Sequence, residues 1–345
     1  MENPLVSVIL VSYNSQKYIS ECLNSLKKQK YKNFNIILVD NDGSKVSREI
    51  AKKIVPEILV IRNGRNLGYA KACNLGIEQA FEDRNIKYVV CLNIDTTVDK
   101  NWLKQLVTVA ENYPDFGSIQ SKILMYDNPE LINTAANNLT FLGFGYCGNY
   151  LEPSSNKRDI EEIPYSSGTS VIFNRMALEK TGCFDEDYFL YHEDVDLGVR
   201  LKLFGYKNLL APNSICYHKY SFSKRNKVYY LEKNRLITLF KNFSLRTLLI
   251  IFPAFIINEL GLIIFILITG NFAKKMASYL YILQHISEIL KKRRFIQKNR
   301  KYSDKELTDL LISRIDFQEL DYFMLKKVAN PFFDFYWKIA RKLIL

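Results

Sequence analysis

The sequence predicts an α/β fold in which a mostly parallel central sheet is flanked by helices. Short apolar runs alternate with stretches whose apolar residues recur at helical spacing, the pattern of βαβ units with right-handed crossovers. The fourth run, residues 88–95, is largely apolar, which is typical of a strand buried on both faces. It stops abruptly at the carboxylate of Asp95. Ligands of such sheets lie beyond the carboxyl ends of the strands, so this end predicts a binding crevice.

The elements of this fold can be assigned in chain order. The first predicted helix carries Ile19, Cys22 and Leu26 on one face, which gives it an apolar stripe to pack on a sheet. We predict strands at 5–11, 35–39, 58–62, 88–95 and 118–124, a small-residue loop entering a strand at 165–173, and a short strand before His218. We predict helices at about 16–29, 70–82, 102–113 and 193–205.

Two regions depart from this alternation. Residues 125–165 are irregular, and their Gly-, Asn- and aromatic-rich part predicts an insertion over the sheet edge, where an acceptor could lie. From residue 243 the chain becomes apolar and basic. We therefore predict an α/β domain at 1–242 and a helical region at 243–345.

Polar clusters follow three predicted strands, at residues 12–14, 40–42 and 93–95. Three such ends on one sheet edge favour a nucleotide ligand, but neither a G-x-G-x-x-G nor a G-x-x-x-x-G-K-[ST] loop is present. NAD-type and P-loop sites are therefore not expected. If the ligand carries a diphosphate, a metal ion or side chains must neutralise its charge. The alternative for Asp95 alone is an ordinary turn or helix cap.

Charge and cysteine usage narrow the class of protein. The formal net charge of +12 over 345 residues suggests an anionic partner, either nucleic acid, a lipid surface or a phosphorylated substrate. The excess basic residues lie after residue 219 without a nucleic-acid motif, so no nucleic-acid partner is expected. Six cysteines without C-x-x-C spacing predict reduced, buried thiols.

Two later segments carry further candidate residues. Glu193 and Asp194 begin a predicted helix, where acidic residues also commonly complement the helix dipole. His218 ends a short apolar strand and is a candidate metal or diphosphate contact. Its alternative role is that of a surface histidine beside the basic loop with Lys219, Lys224 and Arg225.

Together these segments resemble the inverting glycosyltransferases of family 2, which have the GT-A fold, and most resemble their rhamnosyltransferase-like branch. The resemblance covers about residues 4–242. Each motif is weak alone, but their order and spacing are specific. The matching stretches are residues 6–14, 39–41, 66–70, 74–77, 92–95, 182–186 and 193–197, and His218.

The resemblance implies a role for each matching residue. Asp95 would bind a divalent cation, Mg²⁺ or Mn²⁺, and His218 would help to hold the metal and the diphosphate. Asp194 would be the general base, with Glu193 as the alternate. The nucleotide-sugar would be bound by Ser12, Tyr13, Asn14, Asp40, Asn66, Asn93, Asp95 and Gly168, with Asp40 reading the base and Asn93 facing the ribose.

One position departs from the family pattern. Asn93 replaces the first carboxylate of the family's D-x-D motif. One carboxylate fewer should weaken metal binding and increase the importance of His218.

The function that the resemblance implies is inverting, metal-dependent transfer of a rhamnose-like sugar or another hexose. The donor would be a nucleotide-diphosphate-sugar and the acceptor a growing glycan or lipid-linked glycan. A metal-dependent nucleotidyltransferase on a related sheet is the alternative, and it would release pyrophosphate from a nucleoside triphosphate. A non-enzymatic binder of nucleic acid or lipid, suggested by the charge, is a third.

Residues 248–268 are long and apolar enough to span a membrane, and Glu259 is the only charged residue between Arg246 and Lys274. Both flanks are basic, and by the positive-inside rule both prefer the cytoplasm. We therefore predict a helical hairpin or in-plane helix on the inner leaflet, at the cytoplasmic face of the cell membrane. The alternative is a buried helical pair covering the catalytic domain. Residues 304–345 predict an amphipathic helical tail.

Overall fold

The computed structural model describes residues 3–43, 45–155, 159–220, 227–317 and 323–345. Lys224, Arg225 and part of the insertion lie outside the described residues. The strands are β1 (Leu5–Ser12), β2 (Phe34–Asp40), β3 (Leu59–Arg62), β4 (Ile86–Asn93), β5 (Thr96–Val98), β6 (Phe116–Met125), β7 (Ile132–Thr134), β8 (Asn137–Thr140), β9 (Gly145–Cys147), β10 (Glu161–Glu162), β11 (Ser170–Asn174), β12 (Lys207–His218) and β13 (Leu311–Ile312).

The helices alternate with strands up to β12 and then follow one another. They are α1 (Ile19–Lys27), α2 (Lys45–Ile54), α3 (Tyr69–Phe81), α4 (Trp102–Asn112), α5 (Arg175–Thr181), α6 (Glu193–Leu203), α7 (Val228–Asn242), α8 (Leu245–Ile268), α9 (Phe272–Gln284), α10 (Ile286–Asn299), α11 (Lys305–Thr308) and α12 (Asn330–Ala340). A 3₁₀-helix, Glu186–Tyr188, precedes α6, and a π-helical turn, Leu325–Ala329, leads into α12.

The central sheet has the strand order β10-β12-β6-β11-β4-β1-β2-β3. Strands β1 to β4 pair in parallel, with Val8 opposite both Ile36 and Val90. Strand β11 runs antiparallel between β4 and β6, so the sheet is mixed beyond the N-terminal parallel half. The predicted α/β class with a sheet flanked by helices is confirmed.

Several predicted boundaries were wrong by a few residues. Strand β4 ends at Asn93, and Asp95 lies in the turn that leads to β5. The first helix begins at Ile19 rather than near residue 16. Helix α2 was not predicted, because its exposed face is strongly polar and only Ser47 and Ala51 are buried.

The sheet is buried on both faces, which explains the near-continuous apolar strands. Helix α3 packs so closely on β1 that a Cβ at Gly76 would lie 2.5 Å from the Ile9 side chain. This contact holds the middle of α3 against the middle of β1.

The insertion and the C-terminal region form a second packed layer. Strands β8 and β9 form a small sheet with β13 from the C-terminal region. The ring of Phe141 stacks on that of Trp337 at 4.7 Å. The amphipathic tail predicted at 304–345 was only partly right, because α12 is helical and amphipathic but β13 is extended. The predicted boundary at residue 242 is the end of α7.

Helix α8 is one continuous helix of 24 residues that contains Pro253. Among the described residues it is the one helix long and apolar enough to cross a membrane, although 28% of its most apolar window is buried. On its buried face Glu259 accepts hydrogen bonds from Arg235 of α7 and from Lys275 of α9. Glu232 of α7 binds the same two cations, so a buried four-residue ion network fastens α8 to the rest of the protein.

Candidate active site

Asp95 and His218 face each other at the end of the central sheet. Strand β12 pairs with β5 so that His218 lies opposite Thr96, next to Asp95 in sequence. His218 Nε2 lies 3.5 Å from Asp95 Oδ1, and His218 Nδ1 lies 3.0 Å from Asn133 Oδ1. The antiparallel β5–β12 pairing thus brings together the two predicted metal ligands, which are far apart in sequence.

The Asp95 carboxylate and the His218 imidazole are suitable ligands for a divalent cation that also binds the diphosphate of a substrate. The Asp95 side chain is 34% exposed, so its carboxylate is open on one side, and His218 turns a ring nitrogen toward it. Within the described ranges no cluster of three or more His, Cys, Asp or Glu side chains is close enough to hold a metal. A cation held by Asp95 and His218 would complete its coordination with diphosphate oxygens and water, as Mg²⁺ commonly does.

The predicted nucleotide residues of the first two strands lie at neighbouring strand ends, where Ser12 is opposite Asp40. Ser12 is buried, its hydroxyl lying 2.5 Å from that of Ser15, while Tyr13 is 43% exposed. The backbone N–H of Asn14, which has φ 51°, donates to the Asp42 carboxylate at 2.5 Å. Asp40 is fully buried and accepts a hydrogen bond from Arg48 of α2. Arg48 went unnoticed in the sequence because the helix that carries it was not predicted.

Asn41 organises the neighbouring loop, a role that the sequence analysis missed. Its Nδ2 donates to Asn66 Oδ1 at 3.0 Å and to the Gly68 carbonyl at 3.2 Å, and its Oδ1 accepts from Leu67 N at 3.0 Å. The predicted nucleotide residue Asn66 is itself exposed. Asn41 lies inside a polar cluster that the sequence analysis identified, but only the folded loop reveals that it binds residues about 25 positions away.

The predicted base is linked to the end of β4, next to the predicted metal ligand Asp95, through the loop before β11. The backbone N–H of Gly168 donates to Asp194 Oδ2 at 3.2 Å. The next residue, Thr169, accepts a hydrogen bond from Asn93 N at 2.9 Å. Two backbone contacts therefore connect Asp194 to the end of β4, two residues before Asp95.

The turn that leads into Glu193 is strained. Phe189, Tyr191 and His192 have φ values of 58°, 67° and 67°. Residues other than glycine rarely adopt positive φ, and each one held there destabilises the fold by about 1–3 kcal/mol. The turn also approaches Gly68, where an added Cβ would lie 2.4 Å from the Phe189 carbonyl oxygen. The fold therefore holds this turn, residues 188–192, in a conformation that the local sequence does not favour.

Hydrogen bonding to the carboxylate distinguishes the two candidate bases. The Glu193 carboxyl is buried, and its Oε2 has no hydrogen-bond partner in the described structure. Burial, together with the neighbouring Asp194 charge, raises the pKa of Glu193 to about 8. Burial also raises the pKa of Asp194, but the N–H groups of Gly168 and Val195 oppose that rise by stabilising the carboxylate. Asp194 is therefore the better base at neutral pH.

Other acidic residues of this segment have structural partners. Asp185 accepts from Lys241 of α7 at 2.5 Å and from Lys292 of α10 at 2.5 Å, and these two cations lower its pKa against the effect of burial. Asp196 is buried and pairs with Arg200 at 2.9 Å. The high density of carboxylates between residues 185 and 196 thus serves partly to attach α7 and α10 to the start of α6.

Comparison with known proteins identifies the family. A family model described as glycosyl transferase family 2 matches residues 7–182, more than half of the chain. The chain belongs to glycosyltransferase family 2. The family 2 resemblance stated from the motifs is confirmed, and the match favours a glycosyltransferase over the alternative nucleotidyltransferase or non-enzymatic binder.

Curated relatives match about two thirds of this glycosyltransferase. The N-acetylglucosaminyl-diphospho-decaprenol L-rhamnosyltransferase of Mycobacterium tuberculosis is 26% identical over 260 residues, covering 68% of this chain and 82% of the relative. The poly-beta-1,6-N-acetyl-D-glucosamine synthase of Staphylococcus aureus is 24% identical over 216 residues, covering 61% of this chain. The match spans only 49% of that synthase.

Solved structures confirm the GT-A fold. GalNAc-T7 with UDP, GalNAc and Mn²⁺ matches with a TM-score of 0.57 and 17% identity over 68% of this chain and 47% of that one. S. aureus TarS 1-349 in complex with UDP matches with a TM-score of 0.52 and 17% identity over 98% of this chain and 90% of that one. At these identities the likeness concerns the fold.

Proposed function

We propose that this glycosyltransferase moves a sugar, with inversion, from a nucleotide-diphosphate-sugar to a glycan or lipid-linked glycan acceptor. The observation that carries the proposal is the backbone connection from Asp194 through Gly168 and Thr169 to the end of β4. This connection supports a general base, Asp194, that faces the same cleft as the diphosphate-binding end of β4. The names of the mycobacterial and staphylococcal relatives support a rhamnose-like sugar or another hexose as the cargo.

The proposed step is a single displacement. The acceptor hydroxyl oxygen forms a bond to the anomeric carbon as the bond from that carbon to the diphosphate oxygen breaks. The hydroxyl proton passes to the Asp194 carboxylate, and the nucleoside diphosphate leaves with the electron pair. Because attack comes from the face opposite the leaving group, the anomeric configuration inverts.

Asp95 and His218 are proposed to hold Mg²⁺ or Mn²⁺ at the diphosphate. Bound there, the cation would stabilise the charge that develops on the leaving oxygens. Asn133 contacts the far nitrogen of the His218 ring, which fixes the orientation of the ring toward Asp95. The Mn²⁺ found in structures of GalNAc-T7 and of a Pyrobaculum calidifontis mannosyltransferase supports this proposal.

A membrane surface is the proposed location. Seven of the large apolar side chains that α8 leaves exposed, here called the α8 apolar face, recur every three or four residues on the side of the helix away from the buried Ile251, Ala254 and Asn258. They are Leu245, Leu249, Phe252, Ile256, Leu260, Ile264 and Leu267. Leu343, near the C-terminus, lines an open cleft with Leu245 and Leu249, and Lys338, Arg341 and Lys342 beside it are exposed.

This arrangement favours a helix lying in the plane of the membrane over a spanning one. The ion network of Glu232, Arg235, Glu259 and Lys275 fastens α8 to α7 and α9, so a span would carry these charged helices into the bilayer. An apolar face with basic neighbours instead suits an anionic leaflet. We propose the cytoplasmic face of the cell membrane.

A turnover screen tests the activity. The full chain with Mn²⁺ is incubated with UDP-glucose, UDP-N-acetylglucosamine, GDP-mannose or dTDP-L-rhamnose and with a polyprenyl-diphospho-N-acetylglucosamine acceptor. We expect nucleoside diphosphate release together with an acceptor one sugar heavier and of inverted anomeric configuration. Retained configuration, or release of pyrophosphate from a nucleoside triphosphate without sugar transfer, would overturn the proposal.

A further inference from the structure

The side chain of Asn234, on α7, donates hydrogen bonds to the backbone of the strained turn at 188–192. Asn234 is fully buried, and its Nδ2 donates to three backbone carbonyls of that turn. The acceptors are Tyr188 at 3.0 Å, Leu190 at 3.0 Å and Tyr191 at 2.6 Å. One amide group therefore holds most of the turn's carbonyl oxygens in one place.

The turn needs such support because of its backbone. Phe189, Tyr191 and His192 all have positive φ, and conformations of this kind persist only where the surrounding structure fixes them. The turn is continuous with α6, whose first two residues are Glu193 and Asp194. Any change in the turn's dihedral angles therefore moves the start of α6.

Other side chains of α7 contact the segment that precedes the turn. Lys233 donates to the Asp187 carbonyl, and the Thr238 hydroxyl lies 2.8 Å from that of Tyr188. These contacts attach the 3₁₀-helix to α7. Asn234 extends the attachment to Leu190 and Tyr191, which lie closer to Asp194 in sequence.

We propose that Asn234 is a positioning residue for glycosyl transfer. By fixing the turn at 188–192 its amide sets the direction in which the Asp194 carboxylate faces the acceptor hydroxyl. The inference rests on the proposed role of Asp194 as the base. Asn234 itself touches neither substrate nor metal in this account, and it acts only through the backbone that carries Asp194.

The chemistry of the site requires an amide. The two N–H groups of the Asn234 amide serve three carbonyl acceptors, one N–H being shared, whereas an aspartate of the same size would set a carboxylate against those oxygens. Asn234→Asp therefore keeps the volume and loses the donors, and Asn234→Ala loses both. Asn242→Ala is the matched control, because Asn242 is a buried amide of the same helix that donates to Asp196 Oδ1 rather than to the turn.

The test uses the full chain, Mn²⁺ and whichever nucleotide-sugar of the screen the wild type turns over. We expect Asn234→Ala and Asn234→Asp to lower kcat by about 10- to 100-fold, the effect of misplacing a reacting group. KM for the nucleotide-sugar should change by less than about two-fold, because the interaction serves the transition state. UDP binding with Mn²⁺, measured by calorimetry, should be unchanged.

The control separates positioning from stability. Asn242→Ala should lower the thermal midpoint about as much as Asn234→Ala does while keeping kcat near the wild-type value.

If Asn234→Ala and Asn234→Asp do not fold, Asn234→Ser, which retains one hydroxyl donor, is expected to fold with an intermediate loss of kcat. The pH profile adds a second readout, since a loosened turn admits water to Asp194 and should move the acid limb of kcat to lower pH.

Two results overturn the inference in distinguishable ways. If Asp194→Asn abolishes transfer but the foldable Asn234 variants keep wild-type kcat, or lose kcat only as much as Asn242→Ala, Asn234 has no positioning role and the base remains assigned. If Asp194→Asn itself transfers sugar at the wild-type rate, the proposed base is wrong and the role of Asn234 fails with it.

Discussion

Gly168 donates its backbone N–H to the Asp194 carboxylate at 3.2 Å, joining the loop before β11 to the start of α6. The carbonyl of the same glycine accepts a hydrogen bond from Tyr69 OH of α3 at 2.6 Å. A Cβ at Gly168 would lie 3.2 Å from the Tyr69 ring, so the loop passes close to α3. The loop, the helix and the carboxylate therefore form one unit, whose parts should be sensitive to the same substitutions.

Replacing the proposed base should separate catalysis from binding. We expect Asp194→Asn to lower kcat by about 10²- to 10⁴-fold, because the amide cannot take the acceptor proton. Binding of UDP with Mn²⁺, followed by calorimetry, should stay near the wild-type value. The matched variant is Glu193→Gln, which should keep most of its activity at pH 7 because Glu193, with a pKa of about 8, is already protonated there.

The pH profile checks the same assignment. Asp194 must be ionised to accept a proton, and burial raises its pKa, so kcat should be present above that raised pKa and fall as pH decreases through it. Glu193→Gln should retain this acid limb. Loss of the limb in Glu193→Gln, with an unchanged limb in Asp194→Asn, would make Glu193 the base.

Metal binding should depend on the two facing strands. We expect Asp95→Asn and His218→Ala each to weaken Mn²⁺ binding in the presence of UDP by at least about 10-fold, since each removes one of two protein ligands. Electron paramagnetic resonance of free Mn²⁺ measures this without reference to turnover. The control is Asp99→Asn, whose carboxylate instead accepts from the backbone N–H of Asn101. Equal Mn²⁺ affinity in all three variants would contradict the site.

The buried ion network should contribute strongly to stability. Lys275→Met leaves Glu232 and Glu259 sharing Arg235, and we expect a loss of about 3–5 kcal/mol in the free energy of unfolding, as when a buried pair loses one partner. Lys274→Met, at the exposed neighbouring position, should change it by less than about 0.5 kcal/mol. Urea denaturation followed by circular dichroism measures both, and similar values for the two variants would contradict the prediction.

Membrane association should depend on the α8 apolar face. We expect the double variant Leu249→Ser, Leu260→Ser to bind vesicles of phosphatidylcholine with about one-third phosphatidylglycerol more weakly than the wild type, because it removes apolar area from the leaflet. Met176→Ser is the control, since Met176 is 61% exposed on α5 in the catalytic domain. Co-sedimentation measures the bound fraction, and equal binding by the wild type and the double variant would exclude this face.

Local sequence patterns were sufficient to predict most of the fold. The apolar run ending at Asp95, the polar ends of the first two strands and the helical stripe of α1 are short-range signals, because burial on a sheet imposes a periodicity on adjacent residues. The same signals supported the family, which the comparisons confirmed. Helix α2 was the main omission, since its burial is slight and its sequence largely polar.

The tertiary structure decided what depends on distant parts of the chain. The contact of His218 with Asp95 arises from the pairing of β12 with β5, and the contact of Asn133 with His218 spans 85 positions. The strain at 188–192 and its support by Asn234 follow from the packing of α7 against that turn. Neither has a local sequence signal, because the partner that fixes each geometry lies on an element far away in the chain.

By itself, then, the sequence determined the alternation of the main strands and helices and the identity of the polar residues at the strand ends. The long-range pairing of strands and the docking of α7 and α8 decided which of those residues meet, and on which side α8 is buried. The physical reason is that periodicity and turn chemistry act over a few residues, whereas the direction of a side chain in a cleft is set by every element that packs around it.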